Sequence, residues 1–166
     1  FPKEKAVHKG DFLCRKITSN ERISLLKAIS EHFPLKLYTH HPAKELPKAE
    51  FVGPVDYYNT MPLVFQNSRI NLNITLKSIQ TGIPLRCMDI MGSGSFLLTN
   101  FQSDLLDYFI PGEDFVYYEN EDDLVSKVSY YLAHESERQQ IITNCIAKMR
   151  DAHTFEHRVH TMINLL

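Results

Sequence analysis

Apolar positions along this chain fall into two alternating rhythms, one of period two and one near 3.6, which together predict short strands separated by helices. Phe12 to Ile17 (FLCRKI) reads as a β-like run after Gly10. Thr18-Ser19-Asn20-Glu21 offers a helix cap and an acid for its first turn, and Ile23, Leu25, Leu26 and Ile29 follow at helical spacing until Pro34. Leu35 to Thr39 alternates as a strand, and Phe51-Val52 is a second short one. Met61 to Asn67 reads as a helix with Pro62 in its first turn. Ile70 to Thr75 is a strand with Asn71 and Asn73 on one face, Arg86 to Met91 a helix ending at Gly92, and Ser95 to Thr99 a near-continuous apolar strand. Ser103 to Phe109 predicts a helix, Phe115 to Tyr118 a strand, and three helices follow over Glu121–Ala133, Ser136–Ala152 and Thr154–Leu166. Strand–helix alternation in short units specifies a Rossmann-like, doubly wound parallel sheet with helices on both faces. With no strands between them, the C-terminal helices are expected on one side.

Composition narrows the function classes. A chain of 166 residues, 43% hydrophobic, is enough for one domain with a real core. Lys+Arg 18 against Asp+Glu 20, with no basic run longer than two, argues against a nucleic-acid face. Cys14, Cys87 and Cys145 are odd in number and widely spaced, without a CxxC pair, so neither zinc nor a disulfide framework is expected and a reducing cytoplasm fits. Cys14 and Cys87 lie in apolar surroundings and are expected to be buried. No stretch has the length of a membrane span, and no signal peptide is visible. The chain opens on Phe1, which reads as a piece cut from a longer protein.

In open parallel sheets, ligands bind beyond the carboxyl ends of the strands, here the loops after Ile17, Thr39, Phe51-Val52, Thr75 and Thr99. Thr81-Gly82-Ile83-Pro84 precedes the helix carrying Asp89, where a glycine lets backbone N–H groups approach an anion; a plain tight turn is the other reading. Asp89, two turns into that helix, is placed to accept hydrogen bonds from both ribose hydroxyls, or to be a solvated helix acid. Gly92-Ser93-Gly94 precedes a strand and is a C-cap and turn rather than a dinucleotide fingerprint. His40-His41 and His153, His157 and His160 lack an acidic third ligand in a metal motif, so surface histidines are expected and no metal. Tyr57-Tyr58 offers rings that either stack a base or pack.

Ser68 to Thr75 (SRINLNIT), Thr81 to Arg86 (TGIPLR) and Asp89 to Asn100 (DIMGSGSFLLTN), with Pro111-Gly112-Glu113-Asp114, Tyr117-Tyr118, Tyr130-Tyr131-Leu132 and His153 to Arg158, resemble the glycosyltransferase-like family related to spore maturation proteins. The resemblance places the chain in the group-1 glycosyltransferase clan of GT-B fold, and it covers nearly the whole length. It implies that residues 1–166 form the C-terminal, donor-binding domain, with the N-terminal acceptor domain outside this chain. In that clan two acids eight positions apart flank the Gly turn, one touching the donor sugar and the other the ribose. Asp89 matches the second; Thr81 stands where the first would be. The clan also places an Arg and a Lys after its first strand to neutralise the diphosphate. Lys16 falls near the first of these and Glu21 near the second, with Arg22 beside it.

The resulting expectation is a domain that holds a nucleoside-diphosphate sugar through Asp89, Arg86, the turn Thr81, Gly82, Ile83 and Pro84, the basic residues Lys16 and Arg22, and a base-holding loop from Val52 to Asp56 that includes Gly53 and Val55. Its partners would be that donor, its own N-terminal domain and an acceptor the sequence does not identify, with no tightly bound cofactor, no nucleic acid and no membrane span. The isolated domain is expected to bind rather than to turn over. The alternative is a relative that keeps the fold as an interaction or structural module, in keeping with Thr81 and the altered basic pair. A receiver or flavodoxin-like domain fits less well, because Arg15-Lys16 stands where a receiver needs acids.

Overall fold

The computed structural model describes residues 2–40 and 42–164, with side chains from Gly10 onward except Asp11. It is a mixed α/β fold in which every strand pairing is parallel. A helix, α1 (Pro2–His32), leads into β1 (Lys36–Leu37), which pairs with β2 (Glu50–Phe51). After α2 (Met61–Asn67) come β3 (Asn71–Asn73), α3 (Leu85–Gly92), β4 (Leu97–Asn100) and β5 (Val116–Tyr118). These three strands form one sheet in the order β3-β4-β5, with Asn73 opposite Thr99 and Thr99 opposite Tyr117. Then α4 (Glu121–Ala133), α5 (Glu135–Ala152) and α6 (Phe155–Ile163) follow without intervening strands.

The sheet is covered on both faces, as its apolar strands require. Leu97 of β4 faces one cluster with Phe65, Cys87, Ile90, Met91, Cys145 and Met149. Its neighbour Leu98 faces the other, with Leu25, Ile29, Val116, Leu124 and Val128. Successive strand residues point to opposite faces, so β4 belongs to both cores. The face beneath α3 also receives α2 and the far end of α5; the opposite face receives α1 and α4. The near end of α5 reaches that second face through Ile141. Helix α6 buries no residue.

Four expectations change. Phe12 to Ile17 is not a strand but part of α1. The apolar side chains that suggested a strand, Phe12, Leu13 and Ile17, are exposed, and the inward stripe is Cys14, Thr18, Leu25 and Ile29, spaced as one helix face. Cys14 on that stripe is only half-buried, whereas Cys87 is fully buried as expected. Ser103 to Phe109 forms a single 3-10 turn, Ser103–Leu105, followed by turns; Leu105 and Phe109 are buried, and this i, i+4 pair explains the helical signal. Thr18-Ser19-Asn20-Glu21 is no helix start, because α1 already runs through it from Pro2; the remaining helices lie within about a turn of their expected limits. The last ends at Ile163, and Leu165 and Leu166 lie outside the described residues. No helix among the described residues is long and apolar enough to cross a membrane.

Candidate functional site

Two loops and one helix meet beyond the carboxyl ends of β3 and β4. The chain leaves β3 through Thr75, turns at Thr81–Pro84 and enters α3 with Pro84 as its N-cap. Gly82 sits at φ +87, a left-handed backbone that glycine adopts without steric cost. Its amide donates to the Asp104 carboxylate, which reaches across from the loop after β4. Ser103 Oγ donates to the other Asp104 oxygen at 2.9 Å. The Gly82 amide first, and the Ser103 hydroxyl second, hold the Asp104 carboxyl below the usual carboxylate range.

Asp89 and Arg86 are three residues apart on α3 and therefore share a face. The Tyr57 hydroxyl lies 2.8 and 2.9 Å from the two Asp89 carboxylate oxygens. That bond to Asp89, then burial and the negative charge, push the Tyr57 phenol above its ordinary value, while the nearby Arg86 charge opposes the rise. Tyr57 lies in the loop after β2, where Asp56 Oδ1 accepts from Asn59 N at 2.6 Å. The Val52–Asp56 loop is thus delivered to the rim of α3, with Gly53 at φ +96 and Val55 half-buried. Tyr58 packs edge-on against Tyr57, ring centroids 5.1 Å apart, and is itself largely exposed.

Arg86 lies with its guanidinium carbon 5.5 Å from the centroid of the Phe65 ring, and Nη1 is directed at Met61 Sδ. It forms no ion pair among the described residues.

Lys16 and Arg22 do not follow a strand, since both lie on α1. Arg22 nevertheless reaches the carboxyl end of β3, donating through Nη2 to Ile74 O at 2.9 Å. Glu21 pairs with Lys77 at 3.1 Å, and Thr18 Oγ1 accepts from Lys77 N at 3.0 Å. Helix α1 is therefore fastened across the loop leaving β3. Lys16 is exposed, nearly two turns from Arg22, and nothing ties it to the Asp89 rim.

The floor beneath this rim is polar and bonded. Asn73 Nδ2 donates to Thr75 Oγ1 at 2.9 Å and to Thr99 Oγ1 at 3.0 Å, while Thr75 N donates to Asn100 Oδ1 at 2.8 Å. Asn71 Nδ2 donates to Phe65 O at 3.0 Å. The polar rhythm of β3 is thus structural: its two amides satisfy partners inside the fold.

Asp104 and the Tyr57–Asp89 contact escape sequence reasoning. The carboxyl-end rule singles out the loop after Thr99, but an acid at a helix start reads as a dipole partner. Only the left-handed Gly82 explains where its carboxylate goes. Among the C-terminal histidines, His153 packs on Phe109 and Tyr108 at 4.8 and 5.5 Å. His41 lies outside the described residues. Among the described residues no three His, Cys, Asp or Glu side chains gather as a metal site.

This arrangement of a parallel sheet, a Gly turn and a helix carrying Asp89 spans the segment with the densest motif content. The Glycosyl transferase-like family matches residues 15–164, nine-tenths of the chain. The chain belongs to this family. A search of curated proteins returns no match. As a glycosyl transferase-like domain it carries the match through α1, from Arg15 onward, and through α6. The helical start of the matched region is therefore part of the domain that bears the Asp89 rim.

Proposed function

We propose that this glycosyl transferase-like domain is the donor-binding half of a GT-B glycosyltransferase and holds a nucleoside-diphosphate sugar against α3. The observation that carries this reading is the Asp89 carboxylate, which turns both oxygens toward a single hydroxyl, that of Tyr57. A carboxylate so oriented accepts two hydroxyl donors, as a ribose diol supplies. Arg86, one turn nearer the start of α3 on the same face, gives the diphosphate a cation backed by the Phe65 ring. Arg22, at the carboxyl end of β3, adds a second positive charge. The Val52–Asp56 loop and the Tyr57-Tyr58 pair would border the base. Transfer would go to an acceptor held by a partner domain of the same protein, with charge on the leaving diphosphate stabilised by these cations and by backbone N–H groups.

Calorimetric titration of the folded chain with UDP, GDP and their sugar conjugates tests the reading. Binding that falls at least tenfold in Asp89→Ala supports it; a folded chain that binds none of them overturns it. One observation favours the second reading, a non-catalytic module. The Gly82 amide is already bonded to Asp104, and Arg86 is engaged by Met61 and Phe65. A full-length protein that binds nucleotide yet neither hydrolyses nor transfers from any donor would favour that module.

A further inference from the structure

The charges bordering α3 alternate. In the middle of the helix stands Asp89; one turn closer to the N-cap stands Arg86; beyond the N-cap, on the Gly82 amide, stands the Asp104 carboxylate. Along the helix axis, Asp89 and Arg86 are separated by about 4.5 Å, and Arg86 and Pro84 by about 3 Å. The order is therefore acceptor, cation, acceptor. A nucleoside-diphosphate sugar has the complementary order: ribose hydroxyls, phosphates, sugar hydroxyls.

We propose that Asp104 is the specificity-determining residue that reads the glycosyl group at the Thr81–Pro84 turn. The assignment rests on the nucleotide-sugar reading given above and adds the residue that discriminates its sugar. Three features of the structure argue for it. The Gly82 amide, the group of that turn best suited to a phosphate oxygen, is spent on a carboxylate. That carboxylate would repel a phosphate placed at the same turn, whereas neutral hydroxyls donate to it. After accepting from Gly82 and Ser103, its two oxygens keep lone pairs for further donors. Two fixed donors also hold the carboxylate in one orientation, which a group that discriminates among hydroxyl patterns requires. Thr81, next to Gly82, brings no carboxylate, so Asp104 is the acid that serves this turn.

The experiment compares wild type, Asp104→Asn and Asp104→Ala in titrations with UDP and UDP-glucose, and with GDP and GDP-mannose. Each variant is first checked for a native unfolding transition. Asp104→Asn keeps an acceptor for the Gly82 amide and guards against loss of the turn. For the nucleotide that wild type binds, the sugar conjugate should lose about tenfold in affinity in Asp104→Ala, while the free diphosphate keeps its affinity or gains severalfold. The Gly82 amide resonance should shift on addition of the sugar conjugate but little on addition of the free diphosphate. Conjugate and diphosphate affinities that move together, or a conjugate affinity unchanged in both variants, overturn the assignment. Wild type that binds no nucleotide at all is a different outcome, recognisable before any variant is made. It removes the donor reading and the Asp104 assignment with it.

Discussion

The Tyr57 hydroxyl spans both carboxylate oxygens of Asp89, 2.8 and 2.9 Å away, and so ties the loop after β2 to the middle of α3. The phenolic proton is held by an anion, and removing it would set two negative charges together. Tyr57 should therefore titrate above the ordinary tyrosine value, and Asp89→Asn should return it toward that value. Spectrophotometric titration of wild type, the Asn variant and Tyr57→Phe isolates this one phenol. A Tyr57 that titrates identically with Asp89 and with Asn at position 89 would break the link between loop and helix.

Gly82 is the residue whose conformation allows Asp104 its donor. A methyl group there meets nothing within 4 Å, so the cost of Gly82→Ala is backbone strain alone at φ +87. Urea unfolding should show a loss of about 1–2 kcal/mol. A neutral substitution would mean that the turn relaxes, and the Asp104 contact with it.

Tyr118, at the end of β5, buries its hydroxyl with no hydrogen-bond partner among the described residues. Burial holds that phenol far above its usual range. An unsatisfied buried donor is a cost that Phe avoids while keeping the ring. Tyr118→Phe should raise stability by about 1 kcal/mol in the same urea assay.

His153 follows α5, packs on the Phe109 and Tyr108 rings, and accepts at Nδ1 from Arg158 Nη2 at 2.6 Å. Burial first, then the charges of Arg158 and Lys148 and neighbouring His157, lower its value below the ordinary histidine one. The unfolded chain therefore takes up the proton first. The stabilising share of neutral His153 is whole above about pH 6.5 and disappears as pH falls through the lower folded value. Urea midpoints should drop between pH 7 and pH 5 (about two units spanning that window) by less in His153→Gln than in wild type.

Two of the three thiols are shielded. Burial pushes both Cys87 and Cys145 up to about 12, with Thr99 opposing the rise at Cys87 and Lys148 at Cys145. A thiol reagent at neutral pH should modify only the half-buried Cys14 in the native chain and all three in denaturant. Native reaction at Cys87 or Cys145 would show that the core opens beneath β4.

Apart from Ser103 to Phe109, the middle and C-terminal parts of the fold were legible because their signals are local. Leu124 and Val128 repeat at helical spacing after the Asn120 cap, and β4 is apolar on both faces because both are covered. The start of the chain was not. FLCRKI alternates like a strand, yet Phe12, Leu13 and Ile17 point to solvent from a helix whose inward positions include a threonine. Thr18 is buried because its hydroxyl donates to Cys14 O and accepts from Lys77 N, a partner 59 positions away. Site residues divide the same way. Asp89 and the Gly82 turn declare themselves through their place ahead of and within a helix, whereas Asp104 and Tyr57 acquire meaning only from partners 22 and 32 residues distant.

The buried amide of Asn73 has a consequence for how the strands find one another. It bonds Thr99 across the β3–β4 pair and Thr75 two residues on along its own chain. Sliding β3 by one position would set Leu72 or Ile74 against the Thr99 hydroxyl and leave the amide facing the opposite, apolar cluster without a donor or acceptor. The three side chains thus act as a key cut for a single alignment. Because the backbone amide of Thr75, part of that key, also donates to Asn100 Oδ1, the loops leading to Gly82 and to Asp104 depart from one fixed height. Correct pairing of two short strands is what sets the distance between the turn and the acid that meets it.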